Sequence, residues 1–226
     1  MYDLRFTSRE QLNETIWRYT FQTSDPVKFI AGQYARFRFP FEIADPNGKQ
    51  HRTFTLISQP NDTSVSFITR ITEPHSVFKQ HLTELQGGDT MSIDEPRGAV
   101  VLPDDPDVPL IFACAGIGIA STISILNFII NSDTTRRISL LYGLRSSDDA
   151  VYSDLIGSFP FISQQTIISP QQITPEAIFA CANSDMRAQF CISGPPGYIE
   201  SVKTGLIELG APEASIRFDA YKNYGY

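Results

Sequence analysis

Two kinds of β-sheet follow one another in this chain. An antiparallel, barrel-type sheet is expected up to about residue 103, and a five-stranded parallel sheet with helices on both faces after it. Three observations predict this fold class. In the first segment apolar and polar residues alternate with a period of two, the signature of half-buried strands. In the second, apolar strand-like runs alternate with helix-like stretches, which requires crossover connections and hence parallel strands. Between them Leu102-Pro103-Asp104-Asp105-Pro106-Asp107-Val108-Pro109 concentrates proline and acid, as a domain boundary does. The boundary is drawn between residues 103 and 104, and each part of the 226-residue chain is long enough for its own core.

In residues 1–103, Tyr34-Ala35-Arg36-Phe37-Arg38-Phe39 and Ser64-Val65-Ser66-Phe67-Ile68-Thr69-Arg70 place every second side chain on one face. Asp45-Pro46-Asn47-Gly48 supplies a turn. One helix interrupts the strands: Ser76 caps it, Phe78, Leu82 and Leu85 share a face, and Gly87-Gly88 ends it. In residues 104–226, strand-like runs fall at 110–115, 138–143, 165–169, 189–193 and 215–219, and helices near 119–131, 148–156, 174–184 and 197–209. The last helix carries Ile199, Val202, Leu206 and Leu209 on one stripe, with Gly210 past its end.

Residues 108–130 carry no charge and are long enough to span a bilayer. Pro109, the Gly116-Ile117-Gly118 break and the hydroxyls of Ser121, Thr122 and Ser124 instead predict a buried strand, a tight turn and a buried helix. Residues 1–10 lack a basic segment followed by an apolar core, so no secretory signal is expected. A net charge of −7 disfavours nucleic acid as a partner, because no basic excess is present to release counterions. The three cysteines, Cys114, Cys181 and Cys191, sit in apolar runs without metal-ligand spacing. They read as free thiols in a reducing cytoplasm. Neither these nor His51, His75 and His81 suggest a metal site.

Two turns carry chemistry. Ala113-Cys114-Ala115-Gly116-Ile117-Gly118-Ile119-Ala120-Ser121 closes the first parallel strand and opens a helix, where free N–H groups and the helix dipole favour phosphate. It departs from the dinucleotide fingerprint, with Ser121 in place of the third glycine and no acid ending the second strand at Tyr142-Gly143-Leu144-Arg145. A tight turn without a ligand is the competing reading. Ser193-Gly194-Pro195-Pro196-Gly197 ends the fourth strand on the same edge, where open parallel sheets bind ligands.

Gly32-Gln33-Tyr34, then Arg52-Thr53-Phe54-Thr55, then Gly116-Ile117-Gly118 and Gly194-Pro195-Pro196 resemble, over nearly the whole chain, the ferredoxin–NADP reductase superfamily of flavoenzymes. The resemblance implies a flavin-binding antiparallel β-barrel at 1–103 and an NAD(P)-binding α/β domain at 104–226. It implies FAD as cofactor, with Arg52 on its pyrophosphate, Phe54 on the isoalloxazine ring, Thr55 near flavin N5 and Thr53 within the same motif. Ile68, Thr69 and Arg70, with His75, Ser76 and Val77 at the helix start, would line the diphosphate and adenosine side. Gly116, Ile117, Gly118, Gly194 and Pro195 would meet NADH or NADPH. Family members mostly have proline at the place of Ser121 and many have cysteine at that of Ser193. Ser169 is followed by Pro170 where NADP-using relatives have arginine, which tilts towards NADH, with Arg145 or Arg187 as substitutes. Asp219 and Tyr221 near the C-terminus are candidates for the cleft, a disordered aromatic tail being the other reading.

The expected activity is hydride transfer from NAD(P)H to FAD, with electrons passed to a separate carrier such as ferredoxin or another redox partner. Thr55, Ser193 and Asp219 are the side chains expected nearest the reacting atoms. The alternatives are a flavin-binding electron-transfer or sensory subunit that does not react with pyridine nucleotide, and a binding protein without flavin.

Overall fold

The computed structural model describes the chain apart from Asn47, residues 131–135, residues 160–161, Pro170 and residues 221–226. Six strands make the first sheet: β1 (Tyr2–Gln11), β2 (Ile16–Gln22), β3 (Tyr34–Arg38), β4 (His51–Thr55), β5 (Ser64–Arg70) and β6 (Thr90–Ile93). Their order is β4-β3-β6-β1-β2-β5, and all pairings are antiparallel. The alternation read from the sequence decides which face is inside. Phe37, Phe54 and Phe67 are buried while Arg36, Thr53 and Ser66 between them are half-buried. The helix α1 (Val77–Glu84) covers this core with Phe78 and Leu82.

The expected barrel needs correction. The edge strands β4 and β5 approach, with Phe54 stacked on Phe67 at 4.1 Å and Ile57 N donating to Ser66 O at 2.8 Å. Among the described residues no ladder joins β4 to β5, so the sheet curls without closing. That seam is where the chain leaves β4 and returns through β5, and Ile57 within it is buried in one cluster with α2 of the second half.

The second sheet has β7 (Leu110–Ala115), β8 (Ile138–Leu144), β9 (Ile162–Ile168), β10 (Gln189–Gly194) and β11 (Ile216–Ala220) in the order β11-β10-β7-β8-β9, all parallel. Helices α2 (Ile119–Ile129) and α3 (Ser153–Gly157) cover one face; α4 (Pro175–Ala180) and α5 (Pro196–Glu208) cover the other. The helix expected near 148–156 is split into a 3-10 turn, Ser147–Asp149, and α3, because Tyr152 between them has φ 61°. The helix expected over 174–184 stops at Ala180, with Asn183 and Ser184 in the left-handed region.

The uncharged stretch at 108–130 is β7, a 3-10 turn and α2, as expected. Nine of the eleven α2 residues are buried because this helix lies between the two sheets. One apolar cluster joins Ile16, Ile57 and Ile68 of the first sheet region to Ile119, Ile123 and Ile125 of α2. Polar anchors fix the docking: Gly32 N donates to Ser124 Oγ at 2.8 Å, and Asn127 Nδ2 to Ile57 O at 2.9 Å. Gly32, at φ +100°, has no substitute, since a Cβ there would sit 1.9 Å from Val100 O. Among the described residues no helix is long and apolar enough to cross a membrane.

Candidate functional site

Sheet topology brings the carboxyl ends of β7, β8 and β10 to one edge, and α2 holds that edge against the end of β5. A cavity of about 560 Å³ opens there. Its walls include Arg70 from β5, Gly116 and Ile117 from the turn after β7, Arg145 and Asp149 after β8, and Gly194, Pro195 and Tyr198 after β10. Arg70 from the first half of the sequence and the glycine turns of the second half therefore face one space. Arg70 also pairs with Asp149 across it, Nη1 to Oδ1 at 3.4 Å.

The second-sheet wall is made by removing side chains. Gly116 has φ +53°, which permits the sharp turn from strand to helix. A Cβ on Gly118 would lie 2.5 Å from Ser193 O, so glycine lets the turn sit directly on β10. Ser121 and Ser193, both wholly buried, join their hydroxyls at 2.8 Å, and Ser121 Oγ also donates to Gly118 O at 3.3 Å. This pair ties the two candidate turns together. Beside it, β11 places Asp219 in register with Ser193. Asp219 Oδ2 is buried with no hydrogen-bond partner, and burial pushes the carboxyl up to about 7. Tyr198, whose hydroxyl is likewise buried without a partner, lines the cavity. Burial raises the thiols of Cys114 and Cys191 to about 12, so both stay protonated and unreactive; Cys181 is half-buried.

The first sheet contributes Arg70 to the cavity wall, and Arg52 and Lys79 are its cationic neighbours. Arg52 is buried on β4, with Nη2 3.2 Å from Asp45 Oδ2 and its guanidinium 5.5 Å from the Phe78 ring centroid. Phe54 has one ring face on Phe67 and is 7% exposed, so it belongs to the core more than to an open surface. Thr55 is buried and Thr53 half-buried, on the opposite face of β4 from Arg52 and Phe54. On β5, Ile68 and Thr69 are buried, and Arg70 reaches the cavity. Ser76 caps α1, its Oγ accepting from Lys79 N at 3.4 Å, with Val77 half-buried next to it. His75 Nδ1 lies 3.0 Å from Glu73 Oε1.

Several expected residues are not brought together. Arg52, Thr53, Phe54, Thr55, Ile68, Thr69, His75, Ser76, Val77, Ser193 and Asp219 do not line the cavity, and Gly118 supports it from behind. Arg187 cannot replace a missing cation at the cavity: it precedes β10, at the other end of the strand, and pairs with Asp185 at 3.0 Å. Tyr221 and Pro170 lie outside the described residues. Lys79, Asp45, Asp149 and Tyr198 were missed by sequence reasoning. Only Lys79 had a local signal, three residues after the capping Ser76; the others act through partners distant in the chain.

The donor set suits nucleotides. Arg52, Arg70 and Lys79 offer fork and point charges to phosphate oxygens near a helix start, and the glycine wall admits a ligand against bare backbone. No family model matches the chain. Relatives in sequence include the ferredoxin--NAD(P)(+) reductase component of naphthalene 1,2-dioxygenase/salicylate 5-hydroxylase systems from Ralstonia sp., 24% identical over 230 residues, spanning 95% of this chain and 67% of that protein. The anthranilate 1,2-dioxygenase electron transfer component of Acinetobacter baylyi is 26% identical over 227 residues, 93% of this chain and 64% of the relative. The chain thus spans about two thirds of the length of these curated relatives. Among solved structures, a ferredoxin NADP+ reductase from Neisseria gonorrhoeae with bound FAD and NADP superposes with a TM-score of 0.78 at 16% identity, covering 96% of this chain and 97% of that one. The fold is that of the ferredoxin–NADP reductase-like FAD/NAD-binding reductases, as the sequence motifs implied. The resemblance in sequence extends along nearly the whole chain.

Proposed function

We propose that the chain is a flavin-dependent oxidoreductase that takes a hydride from NADH or NADPH onto FAD and delivers electrons to a separate carrier, a ferredoxin or another redox protein. One observation carries this reading: the cation-bearing end of β5 and the glycine turns after β7 and β10 line a single cavity. The reductase and electron-transfer relatives support it. Bound flavin supplies two-electron uptake and stepwise electron release; the protein supplies placement.

In this reading Arg52, Arg70 and Ser76 hold the flavin diphosphate, with Thr53, Phe54, Ile68, Thr69, His75 and Val77 around it. Gly116, Ile117, Gly118, Gly194, Pro195 and Arg145 seat the pyridine nucleotide. Thr55, Ser193 and Asp219 lie nearest the reacting atoms, and Asp219 holds a proton near neutral pH because its carboxyl is desolvated. Water exclusion falls to the apolar cluster around α2. Free thiols fit a reducing, cytoplasmic location.

A second reading has a specific observation in its favour. Ser193 already spends its hydroxyl on Ser121, which suits a flavin subunit inert to pyridine nucleotide. Anaerobic titration of the flavin-loaded protein separates the two. Rapid bleaching of the oxidised flavin by NADH, faster than by NADPH, is expected; a yellow protein that neither nucleotide bleaches would select the inert subunit.

A further inference from the structure

Lys79 stands in an unfavourable place. It is the third residue of α1, at the end of the helix where the macrodipole is positive and where acids are preferred, yet the first turn holds no acid. Its Nζ turns inward and donates to Arg70 O at 2.7 Å. Its charged neighbours are two more cations, Arg52 from β4 and Arg70 from β5. The carboxylates beside those two cations are Asp45 at Arg52 and Asp149 at Arg70. Among the described residues none lies within ion-pair distance of Lys79. Arg52 and Arg70 thus each have a carboxylate beside them, and Lys79 adds a third cation to theirs without a carboxylate at ion-pair distance among the described residues.

We propose that Lys79 completes, with Arg52 and Arg70, a phosphate clamp for the diphosphate of the flavin nucleotide, and that closing the clamp draws a proton onto Lys79 in alkaline solution. The inference rests on the flavin reading above and adds to it a residue and a proton. Burial, and then repulsion by Arg52 and Arg70, lower the Lys79 ammonium to about 8. A bound phosphate reverses the repulsion and raises it again. Below about pH 8 the ammonium is already charged, so binding takes up no proton and affinity is level. Above it, each binding event recruits a proton and affinity falls by up to about tenfold per pH unit.

The test is calorimetric titration of the flavin-stripped protein with FAD between pH 7 and 9.5, in buffers of differing ionisation enthalpy. The parent should take up almost no proton at pH 7 and close to one at pH 9. Lys79→Met should weaken FAD binding at pH 7 by about tenfold or more and flatten the pH profile. Lys79→Arg should keep the affinity and lose the profile, because guanidinium stays charged. A parent whose FAD affinity is level across this range, or a Lys79→Met protein that binds as tightly as the parent, would overturn the clamp. Inorganic pyrophosphate probes the charge node without the ring. If the folded parent bound no flavin, the reading of the previous subsection would fall, while pyrophosphate binding that Lys79→Met abolishes would still uphold the clamp. Pyrophosphate binding indifferent to Lys79 would sink it.

Discussion

From the first sheet the cavity receives a long charged side chain, Arg70, with the cations Arg52 and Lys79 as its neighbours; from the second it receives glycines, Gly116 and Gly194, with Gly118 and the buried hydroxyls of Ser121 and Ser193 supporting them. In the proposed function the first wall would grip by what its side chains reach for, and each cation there already has a use in the fold: Arg52 neutralises Asp45, Arg70 bridges to Asp149, and Lys79 caps a carbonyl of β5. The second, in that same reading, would grip by leaving the backbone bare. The two walls should therefore fail in opposite ways, the first when atoms are removed and the second when they are added.

The largest effect expected is at Arg52. Its side chain and that of Asp45 are 5% and 4% exposed, so Arg52→Ala strands a buried carboxylate short of this cation. Such losses cost about 3–5 kcal/mol, and for a chain of this size each kcal/mol lowers the melting temperature by about 2–4 °C. The variant should also release flavin on gel filtration while the second sheet stays folded. Replacing both partners, Arg52→Met with Asp45→Leu, should recover most of the stability and none of the flavin. If Arg52→Ala melted with the parent, the picture of a wall that fails by removal would be wrong.

How much of this contrast was legible differs between the walls for a physical reason. The second wall is local: glycine spacing, a strand before and a helix after are all contiguous, so Gly116, Gly118 and Gly194 were readable from the sequence, as were all five parallel strands. Period-two alternation likewise marked Phe37, Phe54 and Phe67 as one face. The first wall is long-range. Asp45 lies 7 residues from Arg52 in a loop and Asp149 lies 79 residues from Arg70, and no periodicity encodes such pairs. Curl without closure was equally hidden, because alternation fixes faces but leaves open whether edge strands pair. Asn183 and Ser184 ended α4 early through left-handed backbone, a conformation that asparagine adopts more readily than most residues but does not announce.

A middle-sized effect tests the second wall by addition. Gly118→Ala places a methyl 2.5 Å from Ser193 O and 2.8 Å from its carbonyl carbon, and backbone cannot swing aside as a long side chain can. A loss of roughly 1–3 kcal/mol is expected, read by thermal unfolding, with the NADH reaction falling further because the turn moves off β10. Gly197→Ala is the matched control on the same edge: nothing lies within 4 Å of its new methyl, so stability should hold or rise. Equal melting of the two variants would erase the distinction between a glycine that packing demands and one that it does not.

The smallest effect concerns the hydroxyl pair, where the walls' logic meets its limit. Ser121 and Ser193 are buried and bonded at 2.8 Å, so the pair is a removal-sensitive element inside a wall otherwise sensitive to addition. Ser193→Ala alone leaves Ser121 with its bond to Gly118 O at 3.3 Å, and Ser121→Ala alone leaves Ser193 without this hydroxyl partner. Each single change should cost about 1 kcal/mol, with Ser121→Ala the larger. The double change should cost less than the sum, because two apolar groups facing each other leave nothing unsatisfied. The same cycle read by flavin bleaching separates structure from reactivity. If the hydroxyls only tie the turns together, bleaching by NADH will track stability through all three variants; if Ser193 must also meet the nicotinamide, every variant lacking it will bleach slowly while the Ser121→Ala protein, its Ser193 hydroxyl released, keeps or exceeds the parent rate.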